Sequence, residues 1–472
     1  MEEKNIDNDN LDTSNPDTEK YIDEITKLLS QRRISKVKEI LIKLNSTDVA
    51  LILSEMEEKY LPVIFRILPK EFAAETFVDM DGDTQETLIK SFTDRELKEV
   101  LDELFVDDAV DIIEEMPANV VKRILKNTHP ETRKAINDIL KYPKDSAGSI
   151  MTIEFIDLKG NMTVAQAFER IRKTAYDKET IYTCYVIDNN RKLQGLVSIK
   201  TLLLSDEKAI ISDIMETNII YANTLDDKED IARMFDKYDF LAIPVVDNEN
   251  RLVGIVTFDD AMDVLVEEST EDFSKMAAIS PATESYFKTS VWTHARNRIV
   301  WLLFLMLSAT ITGMIIQKYE DAFKTVPLLV SFIPMLMGTG GNCGSQSSTM
   351  IIRGIALDEI KPKDLFRAVF KEFRIAIVVG FLLALVNSLR IVWIYHSSNE
   401  VSAYVLALVL AITLMSIVVL AKVIGCALPI AAKKCKLDPA IMAAPLITTI
   451  LDTCSVLIFF NVANLFMDKL IK

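Results

Sequence analysis

Apolar residues recur at three- and four-residue spacing through the first third of the chain. Val37, Ile40, Leu41 and Leu44 follow it, as do Val100, Leu101 and Leu104, and the spacing predicts short amphipathic helices from about Tyr21 to Tyr142. Pro69 and Pro117 stand where a first-turn proline opens a new helix, and Ser46 and Asp107 suit N-caps. Short helices in series with few glycines predict an all-α superhelical domain. Residues 1–20 are polar and acidic with no apolar core, so a disordered tail without a signal peptide is expected there.

From Ser146 the period changes and an internal repeat begins. Ile150-Met151 is echoed by Ile214-Met215. Tyr185 to Asp188 and Gly195 to Ser198 are echoed by Pro244 to Asp247 and Gly254 to Thr257, both at an offset of 59 residues. Each unit reads as helix, apolar strand, Asp- and Asn-rich turn, strand and helix, which predicts two packed copies of a small α/β module over 146–206 and 207–265. These copies resemble a tandem pair of CBS modules. The second carries the family's nucleotide signature in Gly254-Ile255-Val256-Thr257-Phe258-Asp259-Asp260. By that resemblance Thr257 and Asp260 bind the ribose and phosphate of an adenine nucleotide, with Phe240, Ile243 and Pro244 along the base. The first copy has Ser198 but Thr201 in place of the acid, so at most one ATP site is expected.

A helix dense in carboxylates follows, within a connecting segment over 263–290. Asp260, Asp263, Glu267 and Glu271 fall on one of its faces, where like charges at this spacing repel. Lys275 is the one cation on the next turn. The helix runs toward the membrane, which favours bound cations over a merely solvated face.

Five apolar stretches then span about 299–316, 326–352, 375–394, 401–430 and 439–467. Each is long enough to cross roughly 30 Å of hydrocarbon. Basic residues crowd the start of the first stretch and the links between two and three and between four and five. The positive-inside rule therefore puts the N-terminal half in the cytoplasm and the C-terminus outside. Two segments break the lipid-facing pattern. Pro334 to Gln346 holds four glycines, and opened backbone around a wet cavity is the favoured reading over close helix packing. Asp452 is read as the only carboxylate deep in a span, a functional group unless it pairs with Lys422 or Arg390.

Charge sharpens this division. The chain has 53 basic and 69 acidic residues, a net of −16. From Val291 onward the balance is 17 to 10, a net of +7, and before it 36 to 59, a net of −23. An acidic soluble half disfavours nucleic acid and favours cations. The five cysteines form no CxxC pair and the three histidines no cluster, so neither a disulfide framework nor a zinc site is expected. No GxxxxGK[ST] occurs and no catalytic constellation is visible, so the chain is read as a transporter and not an enzyme.

Pro334 to Gln346, Asp438-Pro439-Ala440 and Thr448-Thr449 to Asp452, together with the domain order, resemble the MgtE family of magnesium transporters. That resemblance implies a homodimeric Mg²⁺ channel of the cell membrane, with the CBS pairs in the dimer contact. It implies a pore lined by Gly338, Asn342 and Ala444, with Asp438 at its mouth and Asp452 within. It also implies cytoplasmic Mg²⁺ sensing, with Asp107 and Asp111 facing Asp227, Glu229 and Asp239, with Glu75 and Asp260 in the same set, and with Asp263, Glu268, Glu271 and Asp272 across the dimer. Alternatives left open are another divalent cation such as Co²⁺, an anion channel, and a CBS-regulated membrane enzyme. An acid in mid-membrane weighs against the anion channel.

Overall fold

The computed structural model describes residues 18–280, 286, 289–319, 326–396, 402–442 and 444–466. Two units divide the chain at Leu265/Val266. In the first unit, ten short helices come first: α1 (Thr18–Ser30), α2 (Ile34–Leu41), α3 (Ser46–Glu55), α4 (Leu61–Phe65), α5 (Lys70–Val78), α6 (Gly82–Ser91), α7 (Asp94–Leu101), α8 (Val106–Glu115), α9 (Ala118–Asn127) and α10 (Pro130–Ile139). Helix α3 packs on α5, α5 on α7 and α7 on α9, so each helix stacks on the next but one and the domain winds as a superhelix. Phe65, Phe77 and Phe92 meet in its core at centroid separations of 5.2–6.3 Å.

Local differences from the sequence expectation have simple causes. Residues 18–20, expected in the tail, already belong to α1, while 1–17 lie outside the described residues. Pro69 and Pro117 are N-caps, one position before the first helical turn, where their extended backbone angles suit the cap. Asp107 is not a cap. Phe105 takes that position in α8, and Asp107 sits in the first turn with its carboxylate buried.

The two modules follow: β1 (Ile156–Leu158), α11 (Val164–Thr174), β2 (Thr183–Ile187), β3 (Leu193–Ser198), α12 (Ile199–Leu204), α13 (Ile211–Ile214), β4 (Ala222–Asn223), α14 (Lys228–Tyr238), β5 (Ala242–Val246) and β6 (Leu252–Thr257). Both sheets have the same order, with β1 parallel to β2 and β2 antiparallel to β3, and likewise β4, β5 and β6. In each hairpin an aspartate holds the turn. Asp188 Oδ1 accepts from the amides of Asn190 and Lys192, and Asp247 Oδ1 from those of Glu249 and Arg251. The echoed methionines and glycines are mates across the repeat. A Cβ on Gly195 would meet Met215 Sδ at 2.6 Å, and one on Gly254 would meet Met151 Sδ at 2.7 Å. Backbone bridges Leu196–Glu216 and Thr152–Ile255 run through the same contacts, so each module completes the other.

Helix α15 (Phe258–Met276) opens in the first unit and ends in the second. The second unit holds α16 (Val291–Lys318), a 3-10 turn (Pro327–Phe332), α17 (Ile333–Ala356), α18 (Leu365–Tyr395), α19 (Ala403–Lys434), a 3-10 turn (Pro439–Met442) and α20 (Ala444–Leu465). Among the described residues, four segments are long and apolar enough to cross a membrane: Val291–Lys318, Pro362–Tyr395, Ala403–Lys434 and Pro439–Leu465. Helix α17, in the second apolar stretch, is not among the four, and its glycines, serines and Asn342 explain why.

The glycine-rich segment is an unbroken helix. Pro334 falls in its first turn, and no carbonyls are opened at Gly338 to Asn342. Glycine works there by closeness instead. A Cβ on Gly340 would lie 2.8 Å from Ile417 and Ser455, one on Gly341 would lie 3.0 Å from Thr448, and one on Gly344 would collide with Leu451. A Cβ on Gly425 of α19 would land on the carbonyl oxygen of Gly344. Packing this close is how helices associate where water supplies no driving force between them.

Candidate functional site

In the first unit the carboxylates of four separate segments gather in one place. Asp107, Asp108 and Asp111 come from α8, Glu154 and Glu179 from the segments flanking β1 and β2, and Asp259 and Asp260 from the start of α15. Asp107 is 7% exposed, and among the described residues its Oδ1 has no hydrogen-bond partner; nor does the buried Oε2 of Glu179. Burial, then the charges of Asp260 and Asp108, push the Asp107 carboxyl well above the usual carboxylate range. The same causes, burial first and neighbouring acids second, raise Asp108 to about 7 and Glu179 to about 8. Asp111 rises to about 7 by the same route, although its side chain keeps solvent contact, so water screens its neighbours and Asp107 is the more telling group. Asp260 and Asp263 are also raised, chiefly by burial.

The acids that the resemblance named have the following places in the structure. Asp260 does face Asp107 and Asp111. Asp227 instead caps α14, accepting from the Glu229 amide at 2.9 Å. Glu229 pairs with Arg233 one turn on, and Asp239 ends α14 in a left-handed conformation. Glu75 lies exposed on α5. Asp108, Glu154 and Glu179 join the cluster with no motif to mark them, since three chain segments supply them. Among the described residues no group of three or more His, Cys, Asp or Glu is arranged to hold a metal ion directly.

The nucleotide signature is in place at the edge of this cluster. Thr257 is buried at the end of β6 and its hydroxyl donates to Asp260 Oδ2. Ser198 and Thr201 repeat the geometry in the first module without the acid. Phe240 is partly buried and stacks on Tyr238, centroids 5.4 Å apart, and Pro244 is buried in β5. Ile243 is fully buried in the core, so only its backbone could face a base.

In the second unit, α17 presents an exposed stripe of Pro334, Gly338, Asn342 and Gln346, each four residues from the last. A Cβ at Gly338 would meet open space. Helix α20 packs against the opposite glycine seam, with Thr448 on Gly341 and Asp452 one turn further along the same face. Pro445 frees no carbonyl, because the hydroxyls of Thr448 and Thr449 both donate to its oxygen, at 3.0 and 2.8 Å. Ala444 is half-buried at the start of α20, and Ala443 lies outside the described residues. Asp452 is half-buried and has no hydrogen bond or ion pair among the described residues.

It is not the sole carboxylate in the membrane helices. Glu372 lies in the third turn of α18, inside the helix where the sequence suggested a link, and it takes Lys422 as its partner at 3.6 Å. Arg390 donates to Asn387 Oδ1 at 2.8 Å. Neither basic residue neutralises Asp452. At the other end of α20, Lys275 of α15 bridges Glu271 and Asp438, at 2.8 Å from each. Glu268 and Asp272 are half-buried on the same stretch of α15.

This arrangement has close counterparts among known proteins. A family model for divalent cation transporters matches residues 333–462, one for the MgtE intracellular N domain matches 44–145, and CBS models match 147–207 and 211–267. The magnesium transporter MgtE of Bacillus subtilis is 33% identical over 94% of this chain and 96% of its own. The chain belongs to the MgtE family. The MgtE magnesium transporter of Thermus thermophilus is 32% identical over 95% of this chain and 99% of its own. A crystal structure of the soluble part of a magnesium transporter, 28% identical, matches 53% of this chain and 99% of its own with a TM-score of 0.50. MgtE membership thus covers the helical domain, the CBS pair and the membrane helices together.

Proposed function

We propose that the protein is a homodimeric Mg²⁺ channel through which Mg²⁺ enters the cell down its electrochemical gradient. A divalent ion gains roughly 4–5 kcal/mol per 100 mV on entry, so no other energy source is needed. In this reading α16, the 3-10 turn with α17, α18, α19 and α20 make five spans, with the soluble half in the cytoplasm and the C-terminus outside. The observation that carries the reading is Asp452, a carboxylate on a membrane helix without a counter-charge, while Lys422 and Arg390 are engaged elsewhere. Gly338 and Asn342 on the exposed stripe of α17, Ala444 at the head of α20 and Asp438 at the mouth complete the lining. A hydrated ion held by one or two carboxylates through its waters is the normal mode for Mg²⁺. The test is ion uptake into proteoliposomes, with Co²⁺, Ni²⁺ and Mn²⁺ as competitors and a second series in varied chloride. Mg²⁺ uptake that follows the imposed potential supports the channel; anion flux, or no Mg²⁺ flux, overturns it.

Cytoplasmic Mg²⁺ closes the channel in this reading, by neutralising acids that otherwise repel. The crowd of Asp107, Asp108, Asp111, Glu154, Glu179 and Asp260 supports one such surface within the chain. Asp263, Glu268, Glu271 and Asp272 would meet a second subunit. A ligand shifts the equilibrium only by its differential affinity for the closed form, and several weak sites together would steepen the response.

ATP would modulate this closure from the second CBS module, with Thr257 and Asp260 at the ribose and phosphate and Phe240 at the base. Because Asp260 belongs to both sites, nucleotide and Mg²⁺ would act on one carboxylate. Calorimetry on the full-length protein should give an ATP heat signal that the Thr257→Ala, Asp260→Ala double variant loses.

A further inference from the structure

Glycine seams are close but smooth. Where Gly340, Gly341 and Gly344 of α17 meet α19 and α20, the α17 side offers no side chains to interlock. At these three positions α17 contributes nothing of its own to hold its height, yet α17 carries the exposed Gly338–Asn342 stripe. Leu336, Cys343 and Ile351 hold α17 through apolar packing, and polar pins beside the seam add direction to that hold.

Such pins lie beside the seam. Ser347 Oγ donates to Glu372 Oε2 at 2.5 Å, and Lys422 Nζ donates to Ser347 Oγ at 3.2 Å while lying 3.6 Å from Glu372. Three helices, α17, α18 and α19, meet at this one group. Ser347 and Lys422 each stand three residues from Gly344 and Gly425, the two glycines in closest approach, so the pin sits one turn from the tightest contact. The neighbouring Ser348 donates to the Met442 carbonyl at 2.8 Å and ties α17 to the turn that follows Asp438. Lys422 is 6% exposed and the Glu372 side chain 13%, so neither charge is stable there without the other.

We propose that the Glu372–Lys422 pair, acting through Ser347, is the positioning device that fixes the height of α17 and so sets ion discrimination along its exposed stripe. The inference rests on the channel reading given above. The pair is electrically neutral and faces away from Gly338 and Asn342, so it does not touch the ion. Its effect is geometric. A shift of α17 by a fraction of a turn displaces Gly338 and Asn342 relative to Asp452, and a hydrated ion is sensitive to that spacing.

Ser347→Ala is the mildest test, because it cuts the link to α17 and leaves the ion pair intact. In proteoliposomes, the ratio of Mg²⁺ to Co²⁺ uptake should fall about tenfold, with the melting temperature of the detergent-purified protein little changed. Glu372→Gln with Lys422→Met should do the same, and the exchanged pair Glu372→Lys with Lys422→Glu should regain most of the ratio. Hydrogen exchange of α17 in nanodiscs provides a readout that needs no flux: Ser347→Ala should speed exchange over residues 340–350 even if the parent proves not to conduct Mg²⁺. Loss of Mg²⁺ flux in the parent would sink the channel reading alone. An unchanged ratio in a conducting parent, or unchanged exchange in α17, would sink the positioning role.

Discussion

The two units bury carboxylates in opposite ways. In the cytoplasmic unit, Asp107 and Glu179 lie among other acids, each with a buried oxygen that nothing among the described residues satisfies. In the membrane unit, Glu372 is just as enclosed but has an ammonium and a hydroxyl within reach. A buried charge without a partner must gain a proton or gather a cation from solution. A buried pair needs neither, and holds its shape whatever the solution contains. One arrangement leaves charge for the solution to balance and the other balances it within the chain. Asp452 is the exception within the second unit, with no hydrogen bond or ion pair among the described residues.

The sharpest way to break this comparison is at Asp452. Asp452→Asn keeps the side chain's size and removes only the charge. Mg²⁺ uptake should fall at least about a hundredfold while the protein elutes and melts like the parent. Flux near the parental value would place Asp452 with the structural charges, alongside Glu372.

Next in size is the glycine seam. Gly425→Val drives a branched side chain into the Gly344 carbonyl, and overpacking of this kind costs about 3 kcal/mol. Thermal unfolding in detergent should drop by several degrees. Gly338→Ala, at the open stripe, should leave the melt unchanged because its Cβ meets no atom within 4 Å.

That pair of glycines also marks how far the sequence could be read. Period, repeat and apolar length are properties of the chain, so the helical domain, the CBS pair and the membrane helices were legible. Opening backbone at Gly338 to Asn342 was the wrong inference, because composition cannot separate a glycine that breaks a helix from one that admits a neighbour. Glu372 was missed because α18 begins nearly three turns earlier than its apolar core, and the basic residues around it looked like a loop. Glu154 and Glu179 were invisible, since only the fold brings them to α8. Lys275 was noticed as a lone cation, but its partner Asp438 lies 163 residues away.

The cytoplasmic acids give a prediction in pH. Their carboxyl groups bind protons more tightly in the folded cluster than in an unfolded chain. The stability they contribute is thus present below the ordinary carboxylate range and is lost as pH rises through about 7 to 8, where Asp108, Asp111 and Glu179 ionise. Mg²⁺ replaces the protons only after they have left. Protection of the full-length protein against limited proteolysis by millimolar Mg²⁺ should be large at pH 8 and small at pH 6. Asp107→Asn with Glu179→Gln should flatten that difference, giving a protein that resists protease at pH 8 without Mg²⁺. Equal protection at both pH values in the parent would mean that Mg²⁺ acts elsewhere.

The smallest expected effect tests whether the contrast between responsive and fixed charge extends to the end of α15. Lys275 holds Glu271 and Asp438 together as a tethered cation would, but all three side chains keep about a third of their solvent contact. Exposed pairs of this kind contribute roughly 0–1 kcal/mol each, and salt screens them. In Lys275→Met the two carboxylates face each other unneutralised, so the mouth of α20 loses an attachment that needed no Mg²⁺. The closed form then depends on an ion at that point. Half-inhibition of uptake should move to about threefold higher cytoplasmic Mg²⁺, matching a loss of less than 1 kcal/mol, and the inhibition curve should steepen because one more ion takes part. Lys275→Arg should leave both features near the parent's. A curve that keeps its midpoint and slope in Lys275→Met would show the bridge to be a surface contact, with α15 held at the mouth by other means.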